Sequence, residues 1–389
     1  MRQMKRVSIA QIKAGHDECV IPLIHTLNQL GVQADVYISN QLRIKRGNIF
    51  KSLGIAHEEY IIDPSYSIDS IPHNSSNNRI FWLDIMGRKV CKLIRHNQED
   101  SLPIMFWTSF RYPDSKIFNF CSKIGYNIYA FIHDSEKHQS FDGLSTYPKT
   151  TPVLFSDGMM DAPKLDEHQC LKFYLPPMTQ SRIQVKSQEA CKDPHSKIKI
   201  AVPGRVSYQR RDYELLVKFA KDLNTQYPCE FEFIIVGGVS GNDGDKFIES
   251  INANKLTDMF KLPLLKDSTE ATEGNTAFLS YNQLFELLQS CDMALSNSKA
   301  VKEGSSKVSG AINLCINFQL PILYLKGYTM YKEFNGLGSF ILDFENSSKI
   351  NIFGDNNKEQ LLTAKQAEAT ELKTLMEKSN LQAMEKIIM

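Results

Sequence analysis

Short apolar strands alternate with helix-forming segments twice along this chain, and this pattern restricts the possible folds more than any other feature. In the first half, a strand at residues 6–10 precedes a helix that begins near Asp17 and carries one apolar face. Gly31 ends this helix, and residues 32–39 form the next strand. Because strands that alternate with helices usually pair in parallel, the sequence predicts a parallel sheet covered on both faces. Further strands are predicted at residues 80–83, 104–108, 127–132, 152–155 and 171–175.

A polar stretch separates this first pattern from a second one. Residues 177–197 are rich in Gln, Ser and Lys, which is typical of an interdomain linker. The alternation then restarts and predicts a second α/β domain. Its strands are expected at residues 199–202, 231–236, 293–296 and 322–325, and its helices at 213–227, 281–289 and 308–317. Residues 357–389 predict a long amphipathic helix.

Composition and charge exclude several classes of protein. The 389 residues include 45 Lys and Arg against 44 Asp and Glu, so a net charge of +1 gives no electrostatic reason to bind nucleic acid. No apolar run approaches the roughly 18 residues that span a bilayer, and the first apolar run is too short for a signal peptide. The eight cysteines form no CxxC pair, which favours reduced thiols in a cytoplasmic protein.

The strongest candidate site follows the first strand of the second domain. The segment Pro203–Tyr213 places Gly204 and Arg205 at the end of that strand and Arg210 and Arg211 just before a helix. Glycine allows a ligand to approach the backbone, and guanidinium groups beside a helix N-terminus can hold a phosphate. The alternative is a solvated basic turn.

Three other candidate segments lie at or just after the carboxyl ends of predicted strands, where ligands bind in open α/β sheets. Gly15 and His16 lie in a loop before a helix, where backbone amides could meet a phosphate, although an ordinary strand–helix turn capped by Asp17 has the same pattern. His133 ends an apolar strand and is a candidate base or sugar contact, with a packing histidine as the alternative. The fourth segment is a polar loop before a helix; its candidate anion-binding residues are Lys307, Ser309 and Gly310.

A possible metal motif is rejected on composition. Asp243 and Asp245 form a DxD sequence, but it begins within residues 237–244, whose composition is typical of a turn. No metal site is therefore predicted. The sequence also contains no P-loop ending, no GxSxG, no HExxH and no GxGxxG after the first strand, which disfavours simple hydrolase, metalloprotease and dinucleotide-binding functions.

The second half of the chain resembles the donor domain of GT-B glycosyltransferases, most closely the family-4 (group 1) type. Gly204, Arg205 and Arg210 resemble the G-R-x4-K element of that family, and residues 233–238, 284–298 and 319–323 resemble the elements that follow it. Residues 15–18 are similar to the G-G-x-E loop of the acceptor domain. The resemblance implies two Rossmann-like domains that face each other across a cleft, with a C-terminal helical tail. The domains would be an acceptor domain at residues 1–178, a linker at 179–197, a donor domain at 198–355 and a helix at 356–389 that returns to the first domain.

The same resemblance implies a metal-independent transferase that moves a sugar from a nucleotide-sugar donor to a glycan or glycolipid acceptor. The favoured donor is a UDP-sugar. The expected role is bacterial surface polysaccharide or lipopolysaccharide assembly. The donor diphosphate would be held by Arg205 and Arg210 and by amides near Gly15 and Ser309, while His133 would contact the sugar or act as a base. Such an enzyme needs no cofactor and would work in the cytoplasm, including at the inner face of the membrane.

The chain departs from the family at one motif. The two glutamates of the family's E-x7-E motif fall on Ser306 and Leu314, so the stereochemical outcome and the sugar stay open. Two alternatives to a transferase therefore remain. One is a GT-B sugar-nucleotide epimerase, and the other is an inactive GT-B subunit that acts as a scaffold.

Overall fold

A computed structural model of the chain forms two compact units. The described residues are 5–11, 19–39, 57–62, 101–108, 118, 121–133, 149–161, 170–175, 197–262, 281–299, 309–326, 330–344, 352–353 and 357–389. The first unit comprises Met1–Ser181, Ser305–Val308 and Met376–Met389, and the second comprises Arg182–Gly304 and Ser309–Leu375. No helix in the described part of the chain is long and apolar enough to cross a membrane.

The first unit contains a seven-stranded sheet in the order β3-β2-β1-β4-β5-β6-β7, and its strand pairs are all parallel. The direction of the strand order reverses between β1 and β4, which are neighbours at the middle of the sheet. The strands are β1 (Arg6–Gln11), β2 (Gln33–Ser39), β3 (Glu58–Ile62), β4 (Ser101–Trp107), β5 (Asn127–Phe131), β6 (Thr150–Leu154) and β7 (Leu171–Lys172). The described helices are α1 (Val20–Gln29) and α2 (Asp157–Asp161).

Helix α1 forms because its apolar side chains recur on one face that the sheet buries. Val20, Leu23, Ile24 and Leu27 are fully buried. Each such aliphatic side chain contributes about 1.5–3 kcal/mol on burial. The helix ends where Gly31 adopts a left-handed φ of +68°, which glycine allows without strain.

The second unit contains a six-stranded parallel sheet in the order β10-β9-β8-β11-β12-β13. Its strands are β8 (Ile198–Pro203), β9 (Phe231–Val236), β10 (Phe260–Lys261), β11 (Met293–Ser296), β12 (Ile322–Tyr324) and β13 (Ser339–Ile341). Its described helices are α3 (Tyr213–Gln226), α4 (Gly241–Ala253), α5 (Tyr281–Ser290), α6 (Gly310–Asn317) and the first part of α7 (Lys358–Ile388). Buried aromatic rings of this sheet and its helices pack against one another, as Phe219 does against Phe233.

Helix α7 contributes residues 376–388 to the first unit and its earlier residues to the second. In the first unit, the Asn380 side chain accepts a hydrogen bond from the Tyr174 backbone N–H and donates one to its carbonyl oxygen, both at 2.8 Å. In the second unit, the Gly338 N–H donates to Glu368 on the same helix at 3.0 Å. The helix is therefore anchored to each unit by its own set of contacts.

The predicted fold class is confirmed, since both units are parallel α/β sheets with helices and the chain ends in a long helix. Two strands, β9 and β11, have the predicted bounds. Residues 237–240 form a loop, as the turn composition predicts, but the turn predicted for residues 241–244 is wrong, because Gly241 begins helix α4. The sequence pattern does not predict strand β3. The strand predicted at residues 80–83 and the predicted start of α1 at Asp17 lie outside the described residues.

Candidate functional site

A small pocket lies in the second unit where its strand order reverses. Strands β8 and β11 are neighbours there, and their connections leave in opposite directions along the sheet. In open α/β sheets, ligands bind at the carboxyl ends of the strands at this reversal. The residues lining the pocket come from the ends of these strands, from the loop before α3 and from the start of α6: Pro203, Arg211, Leu295, Ser296, Asn297, Ser298, Ser309 and Ile312.

Glycine is required at two contacts beside this pocket. Gly204 ends β8 with φ +97°, and a Cβ there would lie 2.3 Å from Nη2 of Arg211. A Cβ on Gly237, which follows β9, would lie 2.4 Å from the carbonyl oxygen of Gly204. These distances are too short for any real Cβ. The absence of a side chain at Gly204 makes room for the Arg211 guanidinium, and its absence at Gly237 makes room for the Gly204 backbone.

The Arg211 side chain is half-buried and held against the backbone. Its Nη1 donates a hydrogen bond to the Arg205 carbonyl oxygen at 3.0 Å, and its guanidinium lies against Gly204. Burial raises the pKa of the neighbouring Tyr213 to about 12, although the positive charge of Arg211 and the amide of Asn297 oppose this effect. The Tyr213 hydroxyl is therefore neutral at physiological pH. Among the described residues that line the pocket, Arg211 is the one that carries a charge.

Two loops at the pocket are joined by backbone hydrogen bonds. Arg211 and Ser298 form an antiparallel bridge. On either side of it, the Asp212 N–H donates to the Asn297 carbonyl oxygen at 2.7 Å and the Lys299 N–H donates to the Arg210 carbonyl oxygen at 3.1 Å. These bonds fix the loop after β11 against the loop before α3.

Asp212 also begins helix α3 at this point. Its Oδ1 accepts a hydrogen bond from the Leu215 N–H at 3.0 Å, which satisfies one of the free donors of the first turn. Its Oδ2 lies 3.2 Å from Nζ of Lys326. The carboxylate is thus occupied by the helix cap and an ion pair, and it does not line the pocket.

The start of helix α6 supplies backbone donors to the same pocket. Ser309 is the N-cap residue, and its side chain makes no capping hydrogen bond. The Ser309 N–H points at the thioether sulfur of Met330 at 3.3 Å, which is a weak acceptor. The first N–H groups of a helix have no partner within the helix, so an anion could accept hydrogen bonds there.

The structure brings some of the predicted residues together in this pocket. Gly204 ends β8 beside the pocket, Ser309 lines it and Gly310 is the first residue of α6. Arg205 and Arg210 are exposed and do not line it. Arg211 is the arginine that lines the pocket. The sequence pattern does not distinguish its role from that of Arg210. Gly15, His16 and Lys307 lie outside the described residues.

His133 lies in the first unit, at the carboxyl ends of β4 and β5. Its Nε2 is 2.8 Å from the carbonyl oxygen of Thr108, which follows β4. The same nitrogen is 3.9 Å from Sγ of Cys19 at the start of α1, and the ring packs against Phe155. Because a carbonyl oxygen only accepts hydrogen bonds, Nε2 carries the hydrogen in this contact. His133 thus lies at the carboxyl ends of the strands, which is where ligands bind in open α/β sheets.

The two acids of the DxD sequence, Asp243 and Asp245, lie on helix α4 and not in the turn that the sequence predicts. Asp243 Oδ2 accepts a hydrogen bond from the Tyr208 N–H at 3.1 Å. This contact holds the loop that follows Gly204. Asp243 thereby has a structural partner in the same unit as the pocket.

Comparison of the fold with solved structures finds full-length similarity at low sequence identity. Anabaena Alr3699/HepE in complex with UDP is 14% identical with a TM-score of 0.62, over 99% of both chains. A glycosyltransferase from Rickettsia africae ESF-5 is 12% identical with a TM-score of 0.56, over 100% of this chain and 97% of that chain. A UDP-N-acetylglucosamine 2-epimerase is 10% identical with a TM-score of 0.53, over 97% of this chain and 90% of that chain.

No protein-family model and no curated protein sequence matches the chain. The similarity to known proteins is therefore one of structure, and at these identities it shows the fold alone. The similarity covers nearly the whole of each chain, so it includes the two parallel sheets and the C-terminal helix. The chain accordingly has the GT-B fold, which the resemblance at residues 202–213 and 284–323 indicates.

Proposed function

We propose that this protein is a glycosyltransferase that moves a sugar from a nucleoside-diphosphate sugar to a glycan or glycolipid acceptor. The observation that carries this proposal is the pocket at the strand reversal of the second unit, lined by the Arg211 guanidinium and the start of α6. Both features favour a phosphate group. Similarity to the UDP complex of Anabaena HepE supports a UDP-sugar as the donor.

The chemistry follows from the charge that develops on the leaving diphosphate. As the bond between the sugar and the phosphate breaks, negative charge grows on the phosphate oxygens. Arg211 and the amides near Ser309 and Gly310 provide fixed positive groups at the pocket. Arg205 and Arg210 add two exposed guanidinium groups on the adjoining loop, and Lys307 adds an ammonium group to the sequence before α6. Such groups stabilise the leaving group without a divalent metal.

The first unit would supply contacts to the transferred sugar and the acceptor. His133 would hydrogen-bond the sugar or accept a proton from the acceptor hydroxyl, and the loop with Gly15 and His16 would add backbone donors. The acceptor that the sequence resemblance favours is a growing surface polysaccharide, lipopolysaccharide or glycolipid. The transfer would take place in the cytoplasm, at the inner face of the membrane where such acceptors are assembled.

A ligand screen followed by a transfer assay tests the proposal. Ligand binding to the folded state raises the melting temperature by mass action, so UDP-, GDP-, CMP- and TDP-sugars are compared by thermal shift. The donor that stabilises the protein is then incubated with glycolipid extracts, and transfer is followed by mass spectrometry. Stabilisation by none of the UDP-, GDP- and TDP-sugars would contradict the proposal, and so would stabilisation by a CMP-sugar alone, because it carries no diphosphate.

Similarity to a UDP-N-acetylglucosamine 2-epimerase favours a second candidate function, a sugar-nucleotide epimerase. An epimerase converts its substrate without an acceptor, whereas a transferase needs one. NMR spectra of enzyme and donor alone therefore distinguish the two. Appearance of an epimeric sugar nucleotide in that sample would replace the transferase proposal. A donor that binds but is never turned over, with or without acceptor, would indicate the inactive subunit.

A further inference from the structure

Asn297 carries a buried amide nitrogen that lacks a hydrogen bond. The residue is 3% exposed, and among the described residues its Nδ2 has no hydrogen-bond partner. The amide is close enough to the Tyr213 hydroxyl to lower the pKa of that group, but it does not reach hydrogen-bond geometry. Burying an amide donor without an acceptor is unfavourable, and buried side-chain donors in folded proteins are usually paired. An unpaired donor that also lines a pocket suggests that its acceptor belongs to a ligand.

The backbone holds this side chain in place. The carbonyl oxygen of Asn297 accepts the Asp212 N–H at 2.7 Å, and the next residue, Ser298, pairs with Arg211. Moving this part of the loop out to solvent would require these backbone contacts to break. The backbone that carries the amide is therefore fixed at the pocket before any ligand binds.

The groups around Asn297 define the chemistry of the missing acceptor. The pocket is lined by the Arg211 guanidinium and by Ser309 at the start of α6, and none of the described residues that line it is Asp or Glu. Guanidinium and amide groups both donate hydrogen bonds. The pocket thus fits a group that only accepts hydrogen bonds and carries negative charge, as a phosphate does.

We propose that Nδ2 of Asn297 donates a hydrogen bond to a phosphate oxygen of the bound nucleoside diphosphate, next to the contact made by Arg211. This assignment rests on the proposed function and adds a specific binding residue to it. It gives the unpaired amide its partner only in the bound state. Asn297 then contributes to ligand affinity while contributing no hydrogen bond from Nδ2 to the unliganded fold.

The test compares two buried asparagines that differ in one respect. Asn313, on α6, is 2% exposed and also has an unpaired Nδ2, but it does not line the pocket, and its Oδ1 accepts a hydrogen bond from Tyr331. N297A and N313A therefore each remove one unpaired amide from the same unit. Calorimetry would measure the binding of UDP, uridine and inorganic pyrophosphate to the wild type, N297A, N313A and the isosteric N297D.

N297A is expected to bind UDP and pyrophosphate about tenfold or more weakly, which is the range for a hydrogen bond to a charged group. N297D is expected to lose more, because it replaces the donor by a negative oxygen. Uridine lacks the phosphates, so its affinity should not change. N313A should melt at a lower temperature, since it loses the Tyr331 bond, and should keep the wild-type affinities. The unliganded N297A protein should lose less melting temperature than N313A.

Each other result has a definite meaning. If wild type and N297A bind UDP equally, the Asn297 assignment is wrong while the proposed function stands. If the wild type binds pyrophosphate but no nucleoside diphosphate, the proposed function fails, and the pyrophosphate affinities of N297A and N313A decide the assignment. If the wild type binds neither ligand, both proposals fall.

Discussion

A Cβ added at Gly237 would clash with the backbone, whereas a Cβ added at Gly204 would displace the end of the Arg211 side chain. A Cβ at Gly204 meets the Arg211 guanidinium at 2.3 Å, and Gly204 also has φ +97°, so G204A combines a clash with backbone strain. Gly241 has φ +68°, and a Cβ there would meet no atom within 4 Å, so G241A carries the strain alone. Backbone strain of this kind costs about 1–3 kcal/mol.

We therefore expect G204A to lower the free energy of unfolding more than G241A and to weaken UDP binding, whereas G241A should keep its affinity. G237A should behave like G204A, because its Cβ would lie 2.4 Å from a backbone carbonyl oxygen that cannot move freely. Urea denaturation and calorimetry measure the two effects. Equal UDP affinity in G204A and G241A would show that the packing of Arg211 on Gly204 is irrelevant to the ligand.

The three arginines of this loop differ in burial, and this difference predicts an order of effects. Arg211 is half-buried and lines the pocket, whereas Arg205 and Arg210 are exposed. Each charge-assisted contact to phosphate contributes about 1.5–3 kcal/mol, so R211A should weaken UDP binding tenfold or more. R211K keeps the charge but loses the planar fork that contacts Arg205 and Gly204, so it should restore only part of the affinity.

R205A and R210A are the matched controls for this series. The sequence motif predicts that each contributes to donor binding, and their exposure implies smaller losses than that of R211A. A larger loss in R210A than in R211A, measured by calorimetry at the same ionic strength, would mean that the exposed arginine is the main phosphate contact.

Tyr213 is the first residue of helix α3, and the ionisation of its hydroxyl affects the stability of the protein. Burial raises the pKa of Tyr213 to about 12, above its ordinary value of 10. A raised pKa for an acid means that folding favours the neutral phenol. The resulting stability is complete below pH 10 and is lost as the pH rises toward 12.

The free energy of unfolding should accordingly fall between pH 10 and 12, by about 2–3 kcal/mol from Tyr213 if the rise in its pKa is fully expressed. Y213F removes one titrating hydroxyl and should make this part of the profile less steep, while Tyr208, whose pKa burial also raises to about 12, should keep part of the slope. Y227F, at the other end of α3, serves as the comparison. A Y213F profile as steep as that of the wild type would show that other groups cause the alkaline loss.

At the end of α7, one side chain satisfies two backbone groups. Asn380 is fully buried and bonds both the N–H and the carbonyl oxygen of Tyr174 at 2.8 Å. N380A would leave two buried backbone groups unpaired and should cost about 2–4 kcal/mol of stability. N380D keeps the acceptor but places a charge in a buried site, so it should cost at least as much at neutral pH.

Q382A, two residues further on the same helix, changes an exposed side chain and should have no measurable effect. Chemical denaturation of the three variants measures the difference. An N380A protein as stable as Q382A would mean that the end of α7 is not anchored through Tyr174.

For the whole molecule, the proposed reaction would need no divalent metal, because the cationic groups at the pocket would neutralise the charge on the leaving diphosphate. Turnover of the donor identified by thermal shift should therefore persist at its full rate in EDTA. D245N should also retain activity. D243N should show at most a loss of stability, since Asp243 accepts the Tyr208 N–H. Loss of turnover in EDTA together with inactive D243N and D245N proteins would establish a metal site on α4.

Local periodicity, which is readable along the chain, is sufficient to predict the class of the fold. The sequence predicts strands β9 and β11 at their observed bounds. Strands of a parallel sheet are buried on both faces, so each of them is a short, continuous apolar run in the sequence. The alternation of such runs with amphipathic segments also predicted two α/β units and the long C-terminal helix.

Helix α4 and the identity of the pocket residues depend instead on contacts between distant parts of the chain. Residues 237–244 have the composition of a turn, yet α4 forms because Phe247 and Ile251 are buried in the core of the unit. Arg211 and Asn297 are far apart in the sequence and share a pocket only because two loops pair at Arg211 and Ser298. Which of two adjacent arginines is buried depends on that non-local pairing and on the space left by Gly204, and neither leaves a local pattern in the sequence.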